Sequence, residues 1–186
     1  MVLYVGLGNP GPTYEKNRHN IGFRVIDRLV EETGAHALNS KISNSILFKS
    51  GNRIFLKPIT YMNNSGESVF SVSTFYKIST QKIIVIHDDI DIPFGSIRFK
   101  IGGGHGGHNG LKSIDSFVGK EYARIRLGVG RPENKDEVTG YVLSNFTETE
   151  EFLLPGIIEK TVEAALRMPE MPIEMVKSKY TYALNG

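Results

Sequence analysis

His19 stands in the polar run Asn17-Arg18-His19-Asn20, just beyond a glycine turn. A neutral imidazole, with an ordinary pKa of about 6.5, can take a proton from water at physiological pH. It can equally do no more than cap a helix. The run His87-Asp88-Asp89-Ile90-Asp91 follows an apolar, β-branched segment at 82–87 that reads as an interior strand. Sites in open α/β sheets gather beyond the carboxyl ends of such strands. A carboxylate there can accept a hydrogen bond from an imidazole, fix its tautomer and raise its basicity. Three aspartates with histidines close by also admit a metal site, drawn from Asp88, Asp91, His105 and His108. Asn9, Asn63 and Asn109 each stand near the start of a loop or helix. A side-chain amide donates to a carbonyl oxygen and accepts from water or a peptide N–H, which suits recognition of a neutral carbonyl. Each is also an ordinary turn or cap residue.

Glycine supplies 20 of the 186 residues and is concentrated at 6–11 and 102–110, which marks site architecture rather than a linker. Six of the nine residues from Gly102 to Gly110 are glycine, a stretch costly to order, so it implies close backbone approach or a mobile gate. Asn109 is expected at a helix N-terminus, where backbone N–H groups favour anions. The spacing of His105 and His108 admits zinc, but neither an HExxH pattern nor a cysteine supports it. Gly6-Leu7-Gly8-Asn9-Pro10-Gly11 matches the dinucleotide-binding spacing. However, Pro10 removes a backbone N–H, and polar residues at 15–19 stand where the helix should already have begun.

These groups need a scaffold, and the patterning supplies one. Residues 2–5 read as a buried strand. Ile21, Val25, Ile26, Leu29 and Val30 predict a helix over 20–32 that stops at Gly34. Segments 45–49 and 53–57 predict a hairpin around Gly51-Asn52. A helix is expected over 65–76 with Ser65 as its cap, strands over 97–101 and 123–129, and a helix over 109–117. A long helical pattern over 147–168 is expected to break at Pro155, and Pro172 to open a last short helix. Strands alternating with helices give an α/β class: a single domain over 1–186, with a mixed twisted β-sheet flanked by helices.

The absence of cysteine excludes thiol catalysis, Cys-ligated metal centres and disulfides. It also suits a reducing compartment, so a cytoplasmic location is expected. No apolar run approaches membrane-span length, and the first residues lack the pattern of a secretory signal. Net charge is only +2, yet residues 94–135 hold eight basic and three acidic residues, more excess charge than the whole chain carries. A local basic excess beside a glycine loop suits a phosphate-bearing partner.

In series, these blocks closely resemble the bacterial-type peptidyl-tRNA hydrolases. The resemblance runs from Gly6-Leu7-Gly8-Asn9-Pro10-Gly11 with Tyr14 and Arg18-His19-Asn20-Ile21-Gly22, through Tyr61-Met62-Asn63-Asn64-Ser65-Gly66 and His87-Asp88-Asp89-Ile90-Asp91. It continues through the glycine stretch with Leu111-Lys112-Ser113-Ile114 to 124–132. It implies a monomeric enzyme, with no metal or cofactor, that hydrolyses the ester joining a peptide to the 3′-terminal adenosine of tRNA. No membrane or DNA partner is expected. By position, the resemblance makes His19 the catalytic base, Asp88 the carboxylate that holds it, and Asn9, Asn63 and Asn109 substrate-positioning asparagines. Tyr14, Tyr61 and Met62 then line the peptide cleft. Arg98, Lys100, His108 and Arg126 fall near the tRNA face, with arginine at 98 where the family usually has lysine. A non-catalytic RNA-binding member of the same fold, of the kind adapted to splicing, is the alternative.

Overall fold

The computed structural model describes residues 1–184. Seven strands form one sheet in the order β2-β3-β4-β1-β5-β7-β6. They are β1 Val2–Gly6, β2 His36–Ala37, β3 Ser45–Ser50, β4 Arg53–Pro58, β5 Ile83–Asp89, β6 Ile97–Ile101 and β7 Ala123–Gly128. The central strands β4, β1, β5 and β7 run parallel, while β3 and β6 are antiparallel to their neighbours. The helices are α1 Ile21–Thr33, α2 Ser65–Phe75, α3 Asn109–Val118, α4 Val138–Val142, α5 Glu148–Arg167 and α6 Ile173–Tyr180.

Alternation along the central strands builds two apolar layers. Tyr4, Ile84 and Ile86 pack with Ile26 and Leu29 of α1 and Ile157 of α5. Leu3, Val5 and Val85 pack on the other face with Val72 of α2 and Ile114 of α3. The chain leaves β1 through α1 towards β2–β4, and leaves β5 through β6 and α3 towards β7. Neighbouring strands β1 and β5 therefore send their connections in opposite directions. A crevice opens at their carboxyl ends, where the loop 7–20 and the end of β5 meet.

The glycines of the first block serve that junction, not a dinucleotide. A Cβ on Gly6 would collide with the Gly22 carbonyl, and one on Gly22 with the backbone of Ile86 and Leu7. The close approach seats the start of α1 directly against β1 and β5. Residues 11–20 form turns, and α1 opens only at Ile21.

Two expected details are corrected. Ser65 is the first residue of α2 rather than its cap, and its hydroxyl donates to the Met62 carbonyl at 2.8 Å. Pro155 does not break α5, which runs unbroken for 20 residues. Its ring lies on the exposed side, while Leu154, Ile157 and Val162 hold the buried face, and Thr147 and Glu150 form a capping box at the start. Asn109 opens α3 as expected, with His108 as the cap. Among the described residues no helix is long and apolar enough to cross a membrane.

Candidate active site

β5 ends by carrying Asp88 to the lip of the crevice, and the 3-10 turn Arg18–Asn20 ahead of α1 brings His19 to it. His19 Nδ1 lies 2.9 Å from each Asp88 carboxylate oxygen. From the other layer, His108 Nε2 lies 2.8 Å from Asp88 Oδ1. One carboxylate thus sits between two imidazoles.

The tautomers follow from the remaining contacts. His108 Nδ1 accepts the N–H groups of Gly110 and Leu111, at 3.1 and 3.4 Å, and so caps α3. A nitrogen that accepts carries no proton, so His108 holds its proton on Nε2 and donates it to Asp88. His19 likewise donates from Nδ1, which leaves its Nε2 with a free lone pair. Burial works to raise the Asp88 pKa, but the two imidazoles pull it far below the usual carboxylate range, so the group is ionised. Burial alone would lower His19, yet the Asp88 charge and hydrogen bond outweigh it and raise the imidazole above its ordinary value. Burial and the neighbouring His108 push His87 down to about 3, which keeps that ring neutral.

Asn9 is fixed at three atoms. Its backbone exchanges hydrogen bonds with the Asn20 side chain at 2.8 and 2.9 Å, and its Oδ1 accepts the Met62 N–H at 2.8 Å. With the oxygen committed, the amide presents its NH2 group as the available donor. The Met62 N–H is aimed there by Tyr61, whose backbone sits at φ 61 and ψ 157, a region costing a non-glycine residue about 1–3 kcal/mol.

A cleft of about 380 Å³ joins these groups. Its lining includes Asn9, His19, Met62, Asp88 and His108, with Asn63 and Asn109 at exposed positions. Tyr61 lines it too, and Tyr14 stands edge-on to Tyr61 at 6.3 Å. The glycine stretch forms one wall and α4 another. Positive φ angles at Gly102, Gly103, Gly106 and Gly107 let the stretch fold tightly. Arg124, fully buried, donates to the carbonyls of Gly104 and Gly103 at 2.7 and 3.3 Å and reaches Asp115 at 3.3 Å. It braces that wall from below, a role its place in a basic segment did not reveal.

Arg98 is paired in register with Arg126, and Lys100 with Arg124, so four cations share one face of β6 and β7. Like charges placed opposite one another on a sheet are unfavourable without an anion to meet them. Arg126 is partly offset by Asp89 at 2.9 Å, and Arg98 is exposed. Burial, followed by the charges of Arg124 and Arg126, lowers the pKa of Lys100. His108 lies on Asp88 in the cleft, which Lys100 and Arg126 also line.

The rival metal set does not assemble among the described residues. Asp91 pairs with Arg131, and His105 Nδ1 accepts the Gly107 N–H at 3.0 Å. Among the described residues, the grouping of possible ligands is instead His19, Asp88 and His108. Their contacts are already satisfied by two imidazole protons, and both His108 nitrogens are engaged, so an ion would have to displace those protons. The arrangement is that of a carboxylate-held base beside an oriented amide donor, suited to delivering water to a carbonyl.

A family model described as peptidyl-tRNA hydrolase matches residues 3–184. The peptidyl-tRNA hydrolase of Aliarcobacter butzleri is 52% identical over 181 residues, covering 97% of this chain and 99% of that protein. That of Rickettsia bellii is 48% identical over 183 residues, covering 96% and 99%. The crystal structure of peptidyl-tRNA hydrolase from Acinetobacter baumannii superposes with a TM-score of 0.91 at 36% identity, covering 98% of this chain and 97% of that one. With agreement over nearly its whole length in sequence and in fold, the chain belongs to the peptidyl-tRNA hydrolase family.

Proposed function

We propose that residues 1–186 act as one catalytic domain that hydrolyses the ester between a peptide and the 3′-terminal adenosine of tRNA, working in the cytoplasm as a monomer and without a cofactor. The observation that carries this reading is the chain His19–Asp88–His108 beside the oriented amide of Asn9.

His19 Nε2 takes a proton from a water molecule while the oxygen of that water adds to the ester carbonyl carbon. The NH2 group of Asn9 donates to the oxygen that gains charge, an interaction typically worth about 3–4 kcal/mol. The tetrahedral intermediate collapses, the ribose oxygen leaves, and the imidazolium returns the proton to it. The products are a tRNA with a free terminal hydroxyl and a peptide carboxylic acid, which gives its proton to the solvent and leaves as the carboxylate. Asp88 holds the imidazole and its transient charge. An ester is a better electrophile than an amide, so an activated water suffices and no Ser or Cys nucleophile is required. Tyr14, Tyr61, Met62, Asn63 and Asn109 hold the peptide and the adenosine end, and Arg98, Lys100 and Arg126 meet the RNA phosphates.

The test is release of free tRNA from N-acetylaminoacyl-tRNA by the purified chain as a function of pH. The base works when neutral, so kcat/KM should rise with pH along a single limb. Because Asp88 raises the imidazole, that limb should lie above pH 6.5. A rate that does not change between pH 5 and 8, or no release at all, would defeat the reading.

The basic face carries a separate expectation. Arg98→Ala should weaken tRNA binding and lower the slope of log K against log salt by about 1. Cleavage of a minimal esterified adenosine should stay unchanged. Equal losses on both substrates would remove the separate RNA surface. Arg98 is the cleaner choice, because Lys100 also holds the Gly104 carbonyl and Arg126 also pairs with Asp89.

A further inference from the structure

Arg18 precedes His19 in the same turn, yet its side chain goes the other way. It is only 6% exposed. Its Nη1 donates to Ser144 Oγ at 2.5 Å, to the Asn145 carbonyl at 2.9 Å and to the Tyr141 carbonyl at 3.4 Å. Nη2 meets Glu150 Oε1 at 3.0 Å, and the guanidinium lies over the Tyr141 ring at 4.1 Å. The backbone repeats the link, since the Arg18 N–H donates to the Ser144 carbonyl at 3.0 Å. Asn17 adds a bond to Asn145 at 2.8 Å.

Everything Arg18 grips follows or ends α4. That helix has five residues, too few to be stable alone. Val138, Thr139, Val142 and Leu143 nevertheless line the cleft together with the glycine stretch. Among the described residues, the contacts that fasten α4 through Arg18 lie at its carboxyl end, while residues 133–137, which lead into it, are exposed. Glu150, which receives the guanidinium, also accepts the Thr147 N–H and so belongs to the cap of α5. One side chain therefore ties the turn that carries His19 to the end of the wall and to the start of the longest helix.

We propose that Arg18 is a positioning residue for the hydrolysis: it sets the α4 wall at a fixed distance from His19, so that the peptide part of the substrate lies in register with the attacking water. This rests on the hydrolase reading above. A planar fork is needed because several acceptors in different directions must be met at once, and a lysine ammonium can satisfy only some of them.

The experiment compares wild type, Arg18→Met and Arg18→Lys on two substrates, N-acetylaminoacyl-tRNA and a tRNA carrying a peptide of several residues. Arg18→Met should raise KM for the longer peptide by about tenfold, and for the acetylated substrate by much less. Arg18→Lys should recover part of that loss. The pH limb of kcat should stay in place, since the His19–Asp88 contact is untouched. Ser144→Ala, which removes one acceptor of the Arg18 fork and leaves no buried charge behind, should show the same substrate dependence in weaker form, and it decides the matter if Arg18→Met does not fold. Equal KM changes on both substrates, no KM change, or a displaced pH limb would overturn the proposal. Failure of wild type to cleave either substrate would instead overturn the hydrolase reading.

Discussion

His19→Ala is expected to lower kcat for peptidyl-tRNA by about 100- to 10,000-fold with little change in tRNA binding, because it removes the one lone pair placed to receive the proton of water. The fold should survive. The residue lies in a 3-10 turn, and its loss leaves Asp88 still bonded to His108 at 2.8 Å. The stability cost should be that of one lost buried hydrogen bond to a charged group, about 1–3 kcal/mol. Single-turnover hydrolysis, with circular dichroism to verify folding, checks this. Added imidazole should restore part of the rate, because the mutation leaves a ring-sized space beside Asp88 that opens on the cleft. Near-normal turnover by the folded variant would take the base assignment away from His19.

The elements that hold this site were largely legible in the sequence, since period-two and period-3.6 patterns mark buried faces. The strand ending in His87-Asp88 and the helix beginning after His19 were both readable that way. The pairing of residues 69 positions apart was not readable from patterning. It follows from the sheet order, and the order is set by crossovers that no local pattern records. Only the series of motifs, through its family resemblance, tied His19 to Asp88. The contact of His108 with Asp88 was unreadable for a related reason. Bracketed by glycines, with no apolar periodicity of its own, His108 gave no sign that it would turn inward and cap α3. Arg124 was counted only as part of a basic segment, and nothing local marked Arg18 as buried. Each is buried because carbonyl oxygens of an irregular segment converge on it. Short α4 carries no pattern at all, since its stability comes from that convergence.

Asp88→Asn should be as damaging as loss of His19 itself, by about 10,000-fold in kcat, and His108 supplies the reason. The carboxylate accepts from both imidazoles; an amide offers one acceptor oxygen and one NH2 donor. The α3 cap commits His108 Nδ1 as an acceptor, so its Nε2–H must find an oxygen. The amide oxygen therefore turns to His108 and the NH2 group faces His19. That side of His19 must then become the acceptor, its proton moves to Nε2, and the lone pair that would take a proton from water is gone. The argument has a reverse side. His108→Asn alone should cost little, because asparagine caps a helix well, while its side chain is too short to hold the Asp88 oxygen. In Asp88→Asn/His108→Asn the amide is free to turn its oxygen to His19, which restores the productive tautomer. The double variant should be about tenfold more active than Asp88→Asn alone, an interaction of roughly 1.4 kcal/mol. Additive losses in the cycle, measured by single-turnover hydrolysis, would mean that His108 does not control which nitrogen of His19 carries the proton.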